Sequence, residues 1–359
     1  MTKGDNISKI NIKQPLKIIY SSTPLRINDI GGWTDTWYSG QGNVLNTAIS
    51  PRVRVQIKVY DNKEHKRERV LVRAENYGQT FRFNPEEPDY KYHPLLQAAI
   101  NSMPIPNEHE LEISIISHIP AGSSTGTSAS VCVALLGGLD SLAPPRHNLK
   151  QLASLAHQVE TEKLKLESGI QDQVCAAYGG ICFIHIYQYP LAQVTKLKLD
   201  KKTLKNLEQR LCLIYLGKAH SSSRLHEQVI SSLKRKDTPF KFLRQMSSLA
   251  LQARDSLQKG DLKSLGKIMV ENNECQRSLH PQLIPEEADS VIKVARKYKA
   301  EGWKINGAGG PGGSLTILAS KESKERQMML EAIDSLGRGI KHIPTSLALA
   351  GLRVWQKLL

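Results

Sequence analysis

The feature that most constrains the fold is an apolar, strand-like run that leads through a small-residue loop into a helix-like run. Residues 111–118 (LEISIISH) alternate apolar and polar side chains, as a half-buried β-strand does. Residues 119–130 (IPAGSSTGTSAS) follow, and a helix is predicted to begin near Thr127. Small residues let backbone N–H groups approach an anion, and the first helical turn adds unpaired donors and a positive dipole end. The pattern therefore predicts a phosphate-binding loop.

The loop alone does not define a nucleotide site. No Gly-Lys-Ser/Thr sequence follows its glycines, so it is not a Walker A motif. A flexible connection whose serines and threonines only cap a helix would account for the same residues. Other polar segments of the chain must decide between these two interpretations.

Two such segments carry charged residues in unusual surroundings. Residues 23–37 (TPLRINDIGGWTDTW) place a fixed cation, Arg26, and a hydroxyl acceptor, Asp35, around a glycine pair. A turn-rich loop with a surface ion pair would explain this segment as well. Residues 167–173 (ESGIQDQ) precede a run of small residues, and Asp172 is either a helix N-cap or a base that orients a hydroxyl.

A third segment, residues 306–313 (NGAGGPGG), has five glycines in eight positions, which allows tight backbone approach to a ligand or forms a hairpin-like connector. Together with the opening loop, these segments resemble the GHMP kinase superfamily (galactokinase, homoserine kinase, mevalonate kinase and phosphomevalonate kinase). The opening loop is similar to the family's P-x-x-x-G-L-G-S-S-A motif, with matches at Pro120, Gly126, Ser128 and Ala129. The order and spacing of several motifs make this resemblance more specific than any one of them.

Composition indicates a soluble globular protein. The 359 residues are 40% hydrophobic and 23% charged, without a run of about 18 apolar residues or an apolar leader near the N-terminus. We therefore expect a cytoplasmic protein and no membrane partner. The net charge of +15 is spread over the chain, with clusters only at residues 63–69 and 201–205, where turns are expected, so no nucleic-acid partner is predicted. Five cysteines without C-x-x-C spacing are expected to be buried thiols.

The order of periodic segments predicts an α+β fold with two domains. Strand and helix signals alternate in the first half, where a strand is predicted over residues 16–22 and a helix over residues 149–166. The second half is rich in helix signals up to about residue 300, the first of them over residues 224–232. We divide the chain into an N-terminal extension (1–15), an ATP-binding domain (16–200) and a C-terminal domain (201–359). The resemblance implies a ribosomal-protein-like β-α-β fold for the first domain and a helix-rich ferredoxin-like fold for the second.

The nearer resemblance is to kinases of D-glycero-D-manno-heptose 7-phosphate and to the related L-fucose kinases. RINDIGGWTD and ESGIQDQVCAAYGG are typical of that branch. Galactokinases usually carry Glu-His where this chain has Gly32 and Trp33, which argues against galactose as the substrate. An arginine is common in the branch where His220 stands here, so that contact differs.

The resemblance implies a role for each matching residue. Asp172 would be the catalytic base, Arg26 would offset charge on the transferring phosphoryl group, and Asp35 would bind sugar hydroxyls. The ATP phosphates would lie on Pro120, Ala121, Gly122, Ser123, Ser124, Thr125, Gly126, Thr127 and Ser128. The substrate would contact Gly31, Gly32, Trp33, Gly307, Gly309 and Gly310 as well as Asp35. The Mg²⁺ ligands would be Ser128 and Glu160.

These roles predict an ATP- and Mg²⁺-dependent sugar kinase that phosphorylates an anomeric hydroxyl, with a heptose 7-phosphate as the acceptor and the 1,7-bisphosphate as the product. A phosphorylated acceptor needs a cationic subsite, for which the candidates are Lys218, His220, Arg224 and Lys304. Alternatives are a kinase of a neutral sugar such as fucose, a catalytically silent sugar sensor on a kinase fold and, on net charge, a nucleic-acid-binding protein. The sequence leaves the oligomeric state open, and a homodimer is one of the assemblies it allows.

Overall fold

The computed structural model of the protein describes residues 14–75, 78–120, 122–219, 229–231 and 238–358. Its strands are Lys17–Ile30 (β1), Gly42–Asp61 (β2), Val70–Ala74 (β3), Gln79–Phe83 (β4), His109–Ile116 (β5), Ile181–Gln188 (β6), Leu191–Lys196 (β7), Leu211–Leu216 (β8), Gly302–Ile305 (β9), Ser314–Leu318 (β10), Ile340–Ile343 (β11), Ser346–Leu347 (β12) and Arg353–Leu358 (β13). Its α-helices are Pro94–Asn101 (α1), Thr127–Leu139 (α2), Leu149–Gln158 (α3), Gln171–Tyr178 (α4), Lys201–Arg210 (α5), Thr238–Gln258 (α6), Leu262–Leu279 (α7), Glu286–Lys297 (α8) and Ser323–Asp334 (α9). A π-helical turn spans Val159–Lys163, and a 3-10 turn spans Pro281–Leu283.

The predicted α+β architecture is confirmed. Among the described residues, one sheet has nine strands with the main order β13-β1-β2-β5-β3-β4, and β6, β7 and β12 extend it around β2. The second sheet, β11-β8-β10-β9, is antiparallel throughout. Helix α2 packs on β1 and β2, and its buried face is nearly continuous because almost every residue from 129 to 139 is apolar or small.

Strand β1 is longer than the predicted strand over residues 16–22. It continues to Ile30, so Arg26 lies on a buried strand opposite Ala48 instead of in the turn-rich loop that was one interpretation. The register slips between Ile27 and Ile30, where Asn28 adopts a positive φ of 54°. This bulge turns the end of β1 toward the second half of the chain.

Two local predictions were wrong in detail. The helix predicted over 149–166 leaves α geometry at residue 158 and ends in the π-helical turn. The lysine cluster at 201–205, expected in a turn, lies in helix α5, which Asp200 caps by accepting the Thr203 N–H at 2.8 Å. The helix predicted over 224–232 falls largely outside the described residues.

The last residues return to the first sheet. β13 pairs with β1 along Lys17–Ser22, and β12 pairs with β2. Strands β12 and β13, which the predicted division assigned to the second domain, are therefore part of the nine-stranded sheet. The five cysteines are buried and free. No described helix is long and apolar enough to cross a membrane.

Candidate active site

A cleft of about 350 Å³ lies where the loop before α2, strand β1 and the start of α4 meet. Its lining residues are Arg26, Trp33, Asp35, Thr36, Tyr38, Leu95, Gly122, Ser123, Ser124, Thr125, Gly126, Thr127, Ser128, Glu160, Leu166, Glu167, Ser168, Gly169, Gln171, Asp172, Gly307 and Ala308. The structure thus brings segments from both halves of the sequence to one cavity. Most of the predicted site residues are in this set.

Arg26 and Asp172 form a two-pronged ion pair at the base of the cleft. The Arg26 Nε donates to Asp172 Oδ1 at 2.6 Å and the Nη2 donates to Oδ2 at 3.1 Å. Arg26 is 5% exposed, whereas the side chain of Asp172 is 25% exposed, so the carboxylate is the member that a ligand can reach. Burial disfavours the guanidinium charge, but the nearby Asp172 and Asp29 carboxylates outweigh it and raise the pKa of Arg26.

The loop before α2 has a glycine, Gly126, at the point where its backbone meets the Arg26–Asp172 ion pair. It has φ 68°, and a Cβ at this position would lie 3.1 Å from Asp172 Oδ2 and 3.3 Å from the Arg26 side chain. The Arg26 N–H donates to the Thr125 carbonyl at 3.0 Å. From the second sheet, the Ser314 hydroxyl donates to the Ser123 carbonyl at 2.6 Å. The loop is therefore fixed from both sides, with its backbone close to the carboxylate.

Asp35 is a second buried carboxylate in the cleft. Its Oδ2 accepts the Gln171 N–H at 3.0 Å, which fastens it to the first residue of α4. Burial raises its pKa to about 6, against the opposing effect of that hydrogen bond. A Cβ on Gly169 would lie 2.1 Å from the same oxygen, so only glycine fits beside it. Asp35 is thus rigidly placed as a hydrogen-bond acceptor.

Comparison with protein families identifies this arrangement. The model described as "GHMP kinases N terminal domain" matches residues 94–180, and the one described as "GHMP kinases C terminal" matches residues 253–335. The chain belongs to the GHMP kinases. This family includes ATP-dependent phosphotransferases with an alcohol acceptor, sugar kinases among them. The first match contains the small-residue loop, Glu160 and Asp172, and the second contains Lys304 and Gly307.

Curated relatives of this GHMP kinase include enzymes of sugar metabolism. The bifunctional fucokinase/GDP-fucose pyrophosphorylase of Arabidopsis thaliana is 26% identical, over 92% of this chain and 33% of that protein. The D-glycero-alpha-D-manno-heptose 7-phosphate kinase of Campylobacter jejuni is 23% identical, over 83% of this chain and 88% of that protein. The chain spans about a third of the length of the bifunctional fucokinase relatives it matches.

Solved structures show the same two-domain GHMP kinase fold. A D-glycero-D-manno-heptose 1-phosphate kinase from Bacteriodes thetaiotaomicron has a TM-score of 0.73 and 21% identity, covering 94% of this chain and 98% of that one. Lactococcus lactis galactokinase in complex with galactose has a TM-score of 0.72 and 17% identity, covering 94% of this chain and 95% of that one. At these identities the likeness establishes the fold and not the substrate.

The predicted cation ligands of this GHMP kinase, Ser128 and Glu160, both line the cleft. Glu160 is 7% exposed, and its Oε2 accepts the Ser168 hydroxyl at 2.6 Å and the Gln173 amide at 2.8 Å. Burial raises its pKa to about 7. Among the residues that the structure describes, no cationic side chain pairs with Glu160, and no group of three or more His, Cys, Asp or Glu is placed to hold a metal. A buried carboxylate without a countercharge, in the same cleft as the Ser128 hydroxyl, fits a hard cation that keeps several waters.

Some predicted substrate contacts lie behind the cleft wall. Gly31 and Gly309 do not line it: a Cβ on Gly31 would meet the Asn43 carbonyl at 2.0 Å, and one on Gly309 would meet the Leu283 carbonyl at 2.3 Å. Both glycines therefore permit close packing between elements. Gly32, Gly310 and Pro120 also lie outside the lining set. Ala121, His220 and Arg224 lie outside the described residues. Trp33 and Gly307 line the cleft, and their substrate contacts stay predictions.

Lys304 is not available as a phosphate-binding cation, which corrects one sequence candidate. It is fully buried, and its Nζ donates to Asp29 Oδ1 at 3.1 Å. Asp29, which sequence reasoning missed, also accepts the Gly307 N–H and lies 3.9 Å from Arg26. Its pKa is lowered because Lys304 and Arg26 outweigh the cost of burial. The other described candidate, Lys218, is exposed and pairs with Glu287 at 3.1 Å.

Proposed function

We propose that this GHMP kinase transfers the terminal phosphoryl group of ATP to the anomeric hydroxyl of a sugar. The observation that carries the proposal is the partly exposed Asp172 carboxylate, which Arg26 holds beneath the backbone of the small-residue loop. Phosphoryl transfer requires an aligned nucleophile and stabilised charge more than covalent help from the protein. A carboxylate, a fixed guanidinium and a row of backbone amides in one cleft satisfy these needs.

In this proposal Asp172 accepts the proton of the acceptor hydroxyl as its oxygen attacks the phosphorus. An anomeric hydroxyl is more acidic than an ordinary alcohol, so one carboxylate suffices as the base. Arg26 fixes the carboxylate and offsets negative charge that develops on the transferred group. Asp35 orients the sugar by accepting hydrogen bonds from its hydroxyls. Ser128 and Glu160 would hold Mg²⁺, which neutralises phosphate charge when bound.

The proposed acceptor is D-glycero-D-manno-heptose 7-phosphate, with nucleotide-activated heptose synthesis as the destination of the product. Support comes from the RINDIGGWTD and ESGIQDQ segments and from the Campylobacter jejuni relative, which the match covers over 88% of its length. A neutral sugar, L-fucose, is the second candidate because the Arabidopsis thaliana relative, named as a fucokinase, matches over 92% of this chain. We further propose a cytoplasmic location, in keeping with the five free cysteines.

A substrate panel tests the proposal. The purified chain is given ATP and Mg²⁺ with heptose 7-phosphate, L-fucose or D-galactose, ADP release is followed, and the product is analysed by phosphorus NMR. We expect saturable turnover with the heptose phosphate and a new anomeric phosphate signal. Turnover with fucose and none with the heptose phosphate would reverse the ranking, and ATP binding without turnover on any sugar would favour a sensor.

The variant Asp172→Asn tests the base. Asn keeps an oxygen that can accept from Arg26 but cannot take a proton, so kcat should fall by roughly 10²- to 10⁴-fold while ATP binding persists. Asp255→Asn, on the exposed face of α6, is the matched control and should leave kcat unchanged. Unchanged turnover in Asp172→Asn would remove that residue from its role.

A further inference from the structure

A second cavity, of about 710 Å³, lies on the nine-stranded sheet and shares no lining residue with the cleft. It opens over strands β13, β1, β2 and β5. Its lining residues are Tyr20, Ser21, Ser22, Arg52, Arg54, Val55, Gln56, Glu75, Ser114, Ile116, Arg353 and Trp355. The volume is within the range of cavities that hold a small-molecule ligand.

The strand register places the charged and the aromatic side chains of this cavity in two neighbouring rows. Ser22 pairs with Arg353 on one side and with Arg54 on the other, which puts two guanidinium groups on either side of one hydroxyl. In the next row Tyr20 pairs with Trp355, and their rings stack at 5.4 Å with an interplanar angle of 12°. The rows are two residues apart along each strand, or about 7 Å.

Among the described residues, no carboxylate pairs with the two arginines of the cationic row, Arg54 and Arg353. In the described part of the chain neither Arg54 nor Arg353 makes an ion pair or a hydrogen bond, and the only carboxylate among the lining residues is Glu75. Arg52 is held in place by bonds to the Ser22 hydroxyl at 3.1 Å and to the Ala350 carbonyl at 2.7 Å. Burial, and to a smaller extent the charge of Arg353, lower the pKa of Arg52 to about 10. Like charges held close together without a countercharge favour an anion between them.

The aromatic row provides a different kind of contact. Trp355 is 50% exposed although Tyr20 covers one of its faces. A planar aromatic group can stack on the open part of such a pair. The ligand therefore needs an anionic group and a planar ring separated by a short spacer.

We propose that this cavity binds a nucleoside phosphate outside the catalytic cleft, with its base on the Trp355–Tyr20 pair and its phosphates between Arg54 and Arg353. The ribose of a nucleotide spans the distance between the two rows. The proposal does not depend on the sugar that the cleft accepts, because the two cavities share no residue.

Counting bound nucleotides tests the proposal. The full chain is titrated with ADP, and separately with GDP, by isothermal titration calorimetry and equilibrium dialysis. We expect more than one bound ADP per chain in the unmodified protein and one fewer in R54A/R353A, whose kcat with ATP should be unchanged. Trp355→Leu should weaken the second site by about tenfold or more, since a lost base stack is worth that much. Lys357→Ala, on the same strand but outside the lining, is the matched control and should keep the full count.

Several outcomes would overturn the proposal. An ADP count that is the same in R54A/R353A as in the unmodified protein, whether that count is one or two, would show that the cavity does not bind nucleotide. Inorganic pyrophosphate that competes as well as ADP would show that the aromatic pair contributes nothing. A third outcome is that a single-stranded oligonucleotide binds the unmodified protein, loses that binding in R54A/R353A, and ADP does not bind the cavity. That result would assign the face to nucleic acid instead. A chain without kinase activity would leave the nucleotide count, and thus this test, intact.

Discussion

At the scale of single residues, the cleft depends on four charges that neutralise one another. Asp29 lies between Arg26 and Lys304, and Arg26 in turn pairs with Asp172. Removing Lys304 alone would leave Asp29 to compete with Asp172 for Arg26, and it would leave an uncompensated buried charge. We infer that Asp29 and Lys304 position Arg26 although neither lines the cleft.

The double variant D29N/K304M tests this inference. Lys304→Met or Asp29→Asn alone should cost about 3–5 kcal/mol of unfolding free energy and lower kcat, because each leaves one buried charge unpaired. The combination removes both charges and should recover most of the stability and most of kcat. Urea unfolding and ADP-release kinetics measure the two effects. Single and double variants with equal kcat losses would argue against a charge-balance role.

Asp35 predicts a pH dependence of stability. Its folded pKa, about 6, is above the unfolded value of 3.8, so the folded chain loses stability as pH rises from about 4 to about 6. The loss is on the order of 3 kcal/mol and is complete above that window. Asp35→Asn should therefore be more stable than the unmodified chain at pH 8, and the difference should shrink toward pH 4 in urea unfolding.

The matched control for Asp35 has the opposite sign. The pKa of Asp200 is lowered, chiefly because its carboxylate accepts the Thr203 hydroxyl and N–H at the start of α5. Asp200 stabilises the fold above the unfolded pKa and loses that effect as pH falls, so Asp200→Asn should destabilise at pH 8. A stabilising Asp200→Asn, or an Asp35→Asn without pH dependence, would contradict this account.

At the scale of elements, the start of α2 sets the position of the small-residue loop relative to Asp172. Gly126 is both the residue before the helix and the residue in contact with the ion pair. Gly126→Ala would add a Cβ 3.1 Å from Asp172 in a left-handed conformation. We expect kcat to fall about 10- to 100-fold because the carboxylate is displaced. Steady-state kinetics give the result.

Gly40→Ala separates backbone strain from displacement. Gly40 has a similar φ of 70°, but no atom lies within 4 Å of the position of its Cβ. The substitution should cost about 1–2 kcal/mol of stability, with kcat unchanged. If both alanine variants lowered kcat alike, backbone strain and not the contact with Asp172 would be the cause.

At the scale of the whole molecule, we expect the two halves of the chain to unfold as one cooperative unit. One hydrophobic cluster contains Ile27 and Leu136 from the first half and Met246 and Leu265 from the second. The Asn272 amide oxygen also accepts the Gly31 N–H at 2.8 Å across the junction. Elements that share a core and buried hydrogen bonds gain stability from each other.

Single-tryptophan variants test this unity. One variant keeps only Trp33 and another keeps only Trp303, with phenylalanine at the other tryptophan positions, so that each reports on one half. In each protein, urea unfolding followed by tryptophan fluorescence should have the same midpoint as unfolding followed by far-UV circular dichroism, which reports on both halves. Asn272→Ala should lower the free energy of unfolding seen by both reporters alike. A shift seen by one reporter alone would mean that the halves unfold separately.

The sequence by itself determined the features that local chemistry encodes. Alternating apolar residues fixed β5, the small residues after it fixed the loop and the start of α2, and the charged motifs placed Arg26, Asp35 and Asp172 in the site. Each of these depends on neighbours within a few residues. Family resemblance then suggested a role for each of these residues, and those roles stay predictions.

Only the tertiary structure decided which distant residues meet. Asp29 follows the bulge at Asn28 and pairs with Lys304, which lies 275 residues later in the chain. Lys304, which the sequence offered as a candidate phosphate ligand, is therefore a buried cation that pairs within the protein. Likewise, the return of Arg353 and Trp355 to the edge of β1 created the second cavity. Register between strands far apart in the chain depends on packing of the whole core, which no local pattern specifies.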